Sequence, residues 1–191
     1  MVDQVTADLY VPDAGEEPLL AISSVSILRA APVSRLSFRC RDDARAAAGK
    51  AFGVALPAKP LSAETTSDRI AFWLGPDEWM LIAPESDLEA VSAKLEAALE
   101  SHPTSLVDVS HRQEAILVSG DRAVWLLNTG IPIDLDVSAF PVGSVTRTVF
   151  HKAPVMVWRT GEDSFVVEAW VSFMDYVAGL LVQSAGELSA A

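Results

Sequence analysis

Trp73-Leu74-Gly75-Pro76-Asp77-Glu78-Trp79-Met80-Leu81-Ile82 reads as two strands around a tight turn, and the chain repeats it in altered form as Trp158-Arg159-Thr160-Gly161-Glu162-Asp163-Ser164-Phe165-Val166-Val167. Each copy places an acid two positions after a glycine and an aromatic two positions after the acid. That composition predicts a β-hairpin: the glycine supplies a positive φ without steric cost, the acid bonds backbone amides of the turn, and the aromatics pack across strands. The likeness runs on without a gap, aligning Gly75 with Gly161, Asp77 with Asp163, Trp79 with Phe165, Ala83 with Ala169, Ser86 with Ser172, Val91 with Val177 and Leu95 with Leu181. The repeated unit is a hairpin and the helix after it.

Outward from the first hairpin, Leu36-Ser37-Phe38-Arg39-Cys40 alternates apolar and polar like a half-buried strand, and the alanine-rich run from Asp42 or Asp43 to Phe52 predicts a helix with Gly53 as its C-cap. Residues 61–68 are polar and read as a loop. Behind the hairpin, Ser86 with Glu89 has the spacing of a capping box for a helix that presents Leu88, Val91, Leu95, Ala98 and Leu99 on one face and stops at His102-Pro103. The second half opens on residues 106–112 and continues with a strand over 114–119. A helix from Gly120-Asp121, capped by Gly130, and a strand over 144–150 follow. After the second hairpin comes a last helix, capped by Ser172 and burying Phe173, Val177, Leu180 and Leu181. Each half is thus strand, helix, two or three strands, helix. The fold expected is α+β, an internal duplication of a ferredoxin-like βαββα unit whose antiparallel sheets are covered by helices, with halves of about 30–103 and 104–187 inside a single domain, 21–187. Ahead of it, residues 21–28 suit a strand or a short apolar helix equally. Residues 1–20 form an acidic arm without a basic residue, expected to be disordered or to lie against a partner.

The 191 residues carry a net charge of −12 with half of them hydrophobic, and the mean hydropathy is +0.29. Two readings fit that apolar excess, a large alanine-rich core or apolar surface that meets another chain. Scattered basic residues on an acidic chain exclude nucleic acid and anionic membranes as partners. A single cysteine, Cys40, permits no internal disulfide, the start carries no secretory pattern, and no apolar run reaches the roughly 20 residues that span a bilayer, so a cytoplasmic location is expected.

Few residues invite chemistry. There is no G-x-G-x-x-G turn and no P-loop, and His102, His111 and His151 lack metal-ligand spacing. Ser110 and His111 are sequence neighbours, which on a strand point to opposite faces, and no nucleophile elbow supports them. Catalytic, cofactor-binding and metal-binding residues are therefore expected to be absent. One group stands out: Asp108, His111 and Arg112 suit an interface or ligand cluster in which Arg112 forks onto a carboxylate or phosphate, or else a strand entry whose charges satisfy local backbone groups. Among Trp73, Trp79, Trp125, Trp158 and Trp170, most are expected in the core and a minority at a subunit contact.

The segment Val107-Asp108-Val109-Ser110-His111-Arg112, with Val118-Ser119-Gly120-Asp121-Arg122-Ala123, resembles the D-[LV]-S-H segment and S-G-x-x-A helix start of the folate-binding domain of aminomethyltransferases, the T-proteins of the glycine cleavage system. Within that superfamily, residues 74–81, 107–113 and 152–155 look most like the gamma-subunit family of heterotetrameric sarcosine oxidase, and the likeness covers about 30–185. The resemblance implies a noncatalytic chain in a four-chain enzyme that demethylates sarcosine oxidatively to glycine, passes the one-carbon unit to tetrahydrofolate and forms hydrogen peroxide. It implies alpha, beta and delta subunits as partners, and FAD, FMN, NAD, zinc and tetrahydrofolate held on those chains. It also implies that the folate-handling carboxylate of a true aminomethyltransferase is missing, since Thr148-Val149-Phe150-His151-Lys152-Ala153-Pro154 has no acid. The alternatives are a tetrahydrofolate-binding aminomethyltransferase-like domain and a free-standing assembly factor of the same fold.

Overall fold

The computed structural model describes residues 9–188. In chain order the elements are β1 (Leu20–Ala21), β2 (Ser26–Arg29), β3 (Ser34–Cys40), α1 (Asp42–Phe52), β4 (Ala63–Thr65), β5 (Ile70–Gly75), β6 (Glu78–Ala83) and α2 (Leu88–Leu99). They continue as β7 (Thr104–Asp108), β8 (Gln113–Ser119), α3 (Ala123–Asn128), β9 (Val145–Phe150), β10 (Ala153–Gly161), β11 (Ser164–Trp170) and α4 (Val171–Leu188). Two compact units result, one built on Val33–Ser110 and the other on Tyr10–Pro32 with 111–188.

Both glycine-centred stretches are hairpins, and their registers coincide. In β5–β6 Trp73 faces Trp79 and Gly75 faces Glu78; in β10–β11 Arg159 faces Phe165 and Gly161 faces Ser164. Each ladder slips just before its glycine. The turn chemistry differs from the expectation, however. Positive φ occurs at Gly15, Gly53, Gly120 and Gly143 but at neither Gly75 nor Gly161, because the bulge itself twists the strand and the short loop closes without a left-handed residue. Nor do the turn carboxylates bond amides. Asp77 receives the Arg39 guanidinium on both oxygens (3.0 and 3.1 Å), and the Asp163 side chain makes no hydrogen bond among the described residues. The main-chain carbonyls of these acids do that work instead, accepting from the amides of Cys40 (3.2 Å) and Gly120 (3.0 Å) respectively.

The sheet of the Val33–Ser110 unit runs β4-β5-β6-β3-β7, antiparallel at every pairing. Counting β3, β5, β6 and β7 as first to fourth gives the strand order of a ferredoxin-like sheet, with β4 added outside. The second sheet runs β1-β2-β8-β11-β10-β9. There β8, β10 and β11 repeat the first three strands, β9 is the outer addition, and the fourth place is filled by β2 from the front of the chain. So β7, which the sequence reading sets at the head of the second half, completes the sheet of the first, where Leu106 lies opposite Phe38. Residues 21–28, open between strand and helix, supply the β1–β2 hairpin. Tyr10 is buried in the same unit and Pro12 bridges Ala30; of the acidic arm, residues 1–8 lie outside the described residues.

Each sheet carries its own core. In the first unit the alternation of β3 drives Leu36 and Phe38 inward against Trp79 and Leu81, and α1 adds Ala44, Ala48 and Phe52 at helical spacing. Gly53 ends α1 with φ 99°, its amide reaching the Gly49 carbonyl, as its sequence position predicts. α2 buries Val91, Leu95 and Leu99, while Ala98 is exposed and the helix stops at Leu99 rather than at His102. The capping box does not form: a 3-10 turn over Glu85–Asp87 precedes α2, and the Ser86 hydroxyl bonds the Asp87 carboxylate. In the second unit Ile116, Val118, Val157 and Phe165 meet Met174, Val177 and Leu181 of α4, with Phe173 and Leu180 only half buried. Because β11 runs directly into α4 at Val171, Ser172 sits inside that helix, not at its cap. Likewise α3 begins at Ala123, beyond Gly120-Asp121.

Candidate functional site

The chain leaves β7 and enters β8 through the three residues singled out by sequence, and the division between the two units falls between Ser110 and His111. Asp108, in the first unit, closes a turn. Its Oδ1 accepts the Ser110 amide at 2.9 Å and the Ser110 hydroxyl at 2.5 Å, while Ser110 Oγ accepts the Arg35 amide at 3.0 Å. A carboxylate there satisfies amides left open where the ladder ends and a 3-10 turn, Ser110–Arg112, begins. Arg35, 2% exposed, donates to the Val33 carbonyl at 3.1 Å.

His111 and Arg112 belong to the second unit and both are exposed. Among the described residues His111 makes no hydrogen bond or ion pair. Arg112 is held: Nη2 donates to Gln113 Oε1 at 3.0 Å, and its guanidinium carbon lies 5.8 Å from the centroid of the Trp170 ring. The sheet makes this possible, since Gln113 opens β8 directly opposite Trp170, the last residue of β11. Gln113 is fixed in turn, its Nε2 donating at 2.8 Å to Oε2 of Glu168, a carboxylate with 0% exposure whose Oε1 accepts from the Tyr10 hydroxyl at 2.5 Å. A buried carboxyl group thus orients an amide, and the amide orients a cation at the surface.

Sequence reasoning missed Glu168 and Arg159, though each had a signal, a charge set within an apolar strand. Arg159, 2% exposed, lies 4.9 Å from the Phe165 centroid and donates to the carbonyls of Leu135 (2.8 Å), Phe140 (3.0 Å), Gly161 (3.1 Å) and Glu162. Desolvation lowers its pKa from the usual arginine value. Trp79 and Trp158 are core residues, whereas Trp125 and Trp170 are among the exposed large hydrophobics with Val171 and Tyr176. Among the described residues no group of three or more His, Cys, Asp or Glu could hold a metal.

The stretch that the resemblance compares with a folate-handling site forms the end of β9 and the turn into β10, with His151 at φ 51°. It offers a histidine and a lysine. Pterin binding through a carboxylate at this place does not fit those residues.

Comparison with solved structures first defines the class. Aminomethyltransferase T of the glycine cleavage system from Bartonella henselae matches at a TM-score of 0.64 with 15% identity, covering 84% of this chain and 46% of that one, which establishes a shared fold. A heterotetrameric sarcosine oxidase from Corynebacterium sp. U-96, in complex with pyrrole 2-carboxylate, matches at 0.84 with 30% identity over 91% of this chain and 90% of that chain. In sequence, sarcosine oxidase subunit gamma from Corynebacterium sp. (strain P-1) is 33% identical over 145 residues, 75% of this chain and 70% of the relative, and that from strain U-96 is 34% identical over 147 residues. The profile of the sarcosine oxidase, gamma subunit family matches residues 39–187, and the chain belongs to that family.

Proposed function

We propose that this chain is the gamma subunit of a heterotetrameric sarcosine oxidase, working as a structural member of the assembly between alpha, beta and delta subunits. In this reading the oxidative demethylation of sarcosine to glycine, transfer of the one-carbon unit to tetrahydrofolate and formation of hydrogen peroxide take place on the other chains, which hold FAD, FMN, NAD, zinc and the folate. The gamma chain fixes their relative placement and keeps water from the reactive one-carbon carrier. A cytoplasmic location goes with that role; no described helix is long and apolar enough to cross a membrane. The observation that carries the reading is the end-to-end correspondence with a chain of a heterotetrameric sarcosine oxidase, nine-tenths of each covered at a TM-score of 0.84.

Co-expression with the three other subunits and purification through a tag on this chain tests it. The expected product is a stoichiometric complex with flavin absorbance and sarcosine-dependent peroxide formation. Recovery of the tagged chain alone and colourless would overturn the proposal. Calorimetric titration of the isolated chain with tetrahydrofolate supplies the contrast, and sub-millimolar binding would favour an aminomethyltransferase-like domain.

A further inference from the structure

The groups around Arg112 form a surface anchor that the proposed assembly leaves unassigned. Trp170, 48% exposed, lies under the guanidinium and runs into Val171, 48% exposed, with Tyr176, 42% exposed, further along α4. Phe173, its ring centroid 6.4 Å from that of Trp170, backs the patch. Removing an exposed aromatic cluster from water is favourable in itself, and the cation resting on it sets what it recognises. A second arginine of this unit shows the contrast. Arg29 is taken up by carboxylates, Glu114 at 3.0 Å, Asp175 at 2.9 Å and Glu16 at 3.9 Å. Arg112 has no carboxylate among the described residues, and one of its five N–H groups is spent on a neutral amide. Its remaining donors stay in a fixed plane because Gln113 is itself clamped by buried Glu168. The bond to Gln113 and the Trp170 ring contact favour one placement of the guanidinium, so less ordering remains to be done on association. Arginine, tryptophan and tyrosine together are the residue types that dominate binding energy at protein interfaces.

We infer that Arg112, Trp170, Val171 and Tyr176 form a docking anchor for a neighbouring chain of the oxidase, one that presents an aspartate or glutamate side chain to the Arg112 fork beside an apolar contact for Trp170. This rests on the reading of the chain as a gamma subunit. Charge complementarity selects the occupant: the fork matches a carboxylate in shape and charge, and the chain's own nearby acids, Glu114 and Asp175, are engaged by Arg29.

The test uses the full chain with Arg112→Ala, Arg112→Lys and Trp170→Ala, each titrated onto the complex of the remaining three subunits. Wild type measures the gamma-subunit reading by itself, and failure of wild type to bind removes that reading and this surface together. With wild type binding, the expected result is that Arg112→Ala and Trp170→Ala weaken association by at least about tenfold. Arg112→Lys is expected to recover little of it, because an ammonium keeps the charge and loses the planar fork. Thermal midpoints are expected to stay within a few degrees of wild type, since both side chains are exposed, which separates recognition from folding. Equal affinity of wild type and both alanine variants would overturn the proposal. So would a concentration-dependent homodimer abolished by Trp170→Ala.

Discussion

Arg159 shows what a single side chain does when its charge is enclosed. Four carbonyls from the segment before β9 and from the β10–β11 turn converge on one guanidinium, so removing it strands acceptors as well as opening space. Arg159→Ala is expected to lower unfolding free energy by about 3 kcal/mol or more, read from urea denaturation, and Arg159→Lys to recover only a minor part. Cys40, 5% exposed on β3, gives an independent test at this scale. Burial, reinforced by the nearby Asp43 carboxylate, pushes its thiol up to about 11, so a disulfide reagent at pH 8 is expected to react only after denaturant is added. The thiol also sets a sign for alkaline stability. With the folded value above the unfolded one, near 8.5, its contribution is whole below that lower value and is lost as pH climbs toward 11, so the urea midpoint is expected to drop over that window and to drop less in Cys40→Ala. Sequence made Cys40 legible as an apolar position in the alternation of β3. It hid Arg159 and Glu168, because a charge in an apolar strand can face solvent or a buried acceptor set, and only packing decides between them.

At the scale of elements, the hairpins and their following helices were the most legible part, since a register that repeats across eighty-odd positions constrains both copies at once. What failed was local capping. Ser86 and Ser172 have the spacing of caps, yet Ser86 bonds the neighbouring Asp87 and Ser172 lies within α4, because β6 and β11 deliver the chain to their helices by different routes. Ser86→Ala is therefore expected to change stability by less than about 0.5 kcal/mol, below the usual cost of losing a cap. Gly120 behaves oppositely. It ends β8 at φ 122°, its amide bonded to Asp163, and a Cβ there would stand 2.3 Å from the Ser24 carbonyl oxygen. Gly120→Ala combines a left-handed backbone with a backbone clash and is expected to destabilise by several kcal/mol. Asp108 was legible only as a choice between partner-facing and local roles; which neighbour a short side chain finds depends on the turn after β7, which spacing does not report.

For the chain as a whole, the telling fact is where the fourth strands come from. The Val33–Ser110 unit contains all five of its strands in one continuous stretch, whereas the sheet containing β8 takes β1 and β2 from a stretch far upstream. Sequence could find the duplication but not this exchange: β2 offers only Ser26-Ile27-Leu28-Arg29, too short for its period to separate strand from helix. Expressed alone, residues 33–110 are expected to fold cooperatively, and residues 111–191 to give an incomplete sheet with weak amide-exchange protection along β8. A peptide covering 10–32, added in trans, is expected to restore that protection. Full protection along β8 in residues 111–191 without the peptide would show that the upstream strand is dispensable.

Translation runs from the front of the chain, so β2 leaves the ribosome before the strand it pairs with exists. At ordinary elongation rates the wait for β8 is on the order of ten seconds, and for α4 longer, while residues 33–110 have everything they require and can close in between. During that interval Ile27 and Leu28 have no sheet to join. Any factor that accompanies the nascent polypeptide would meet an exposed apolar strand there, and the arrival of β8 would release it.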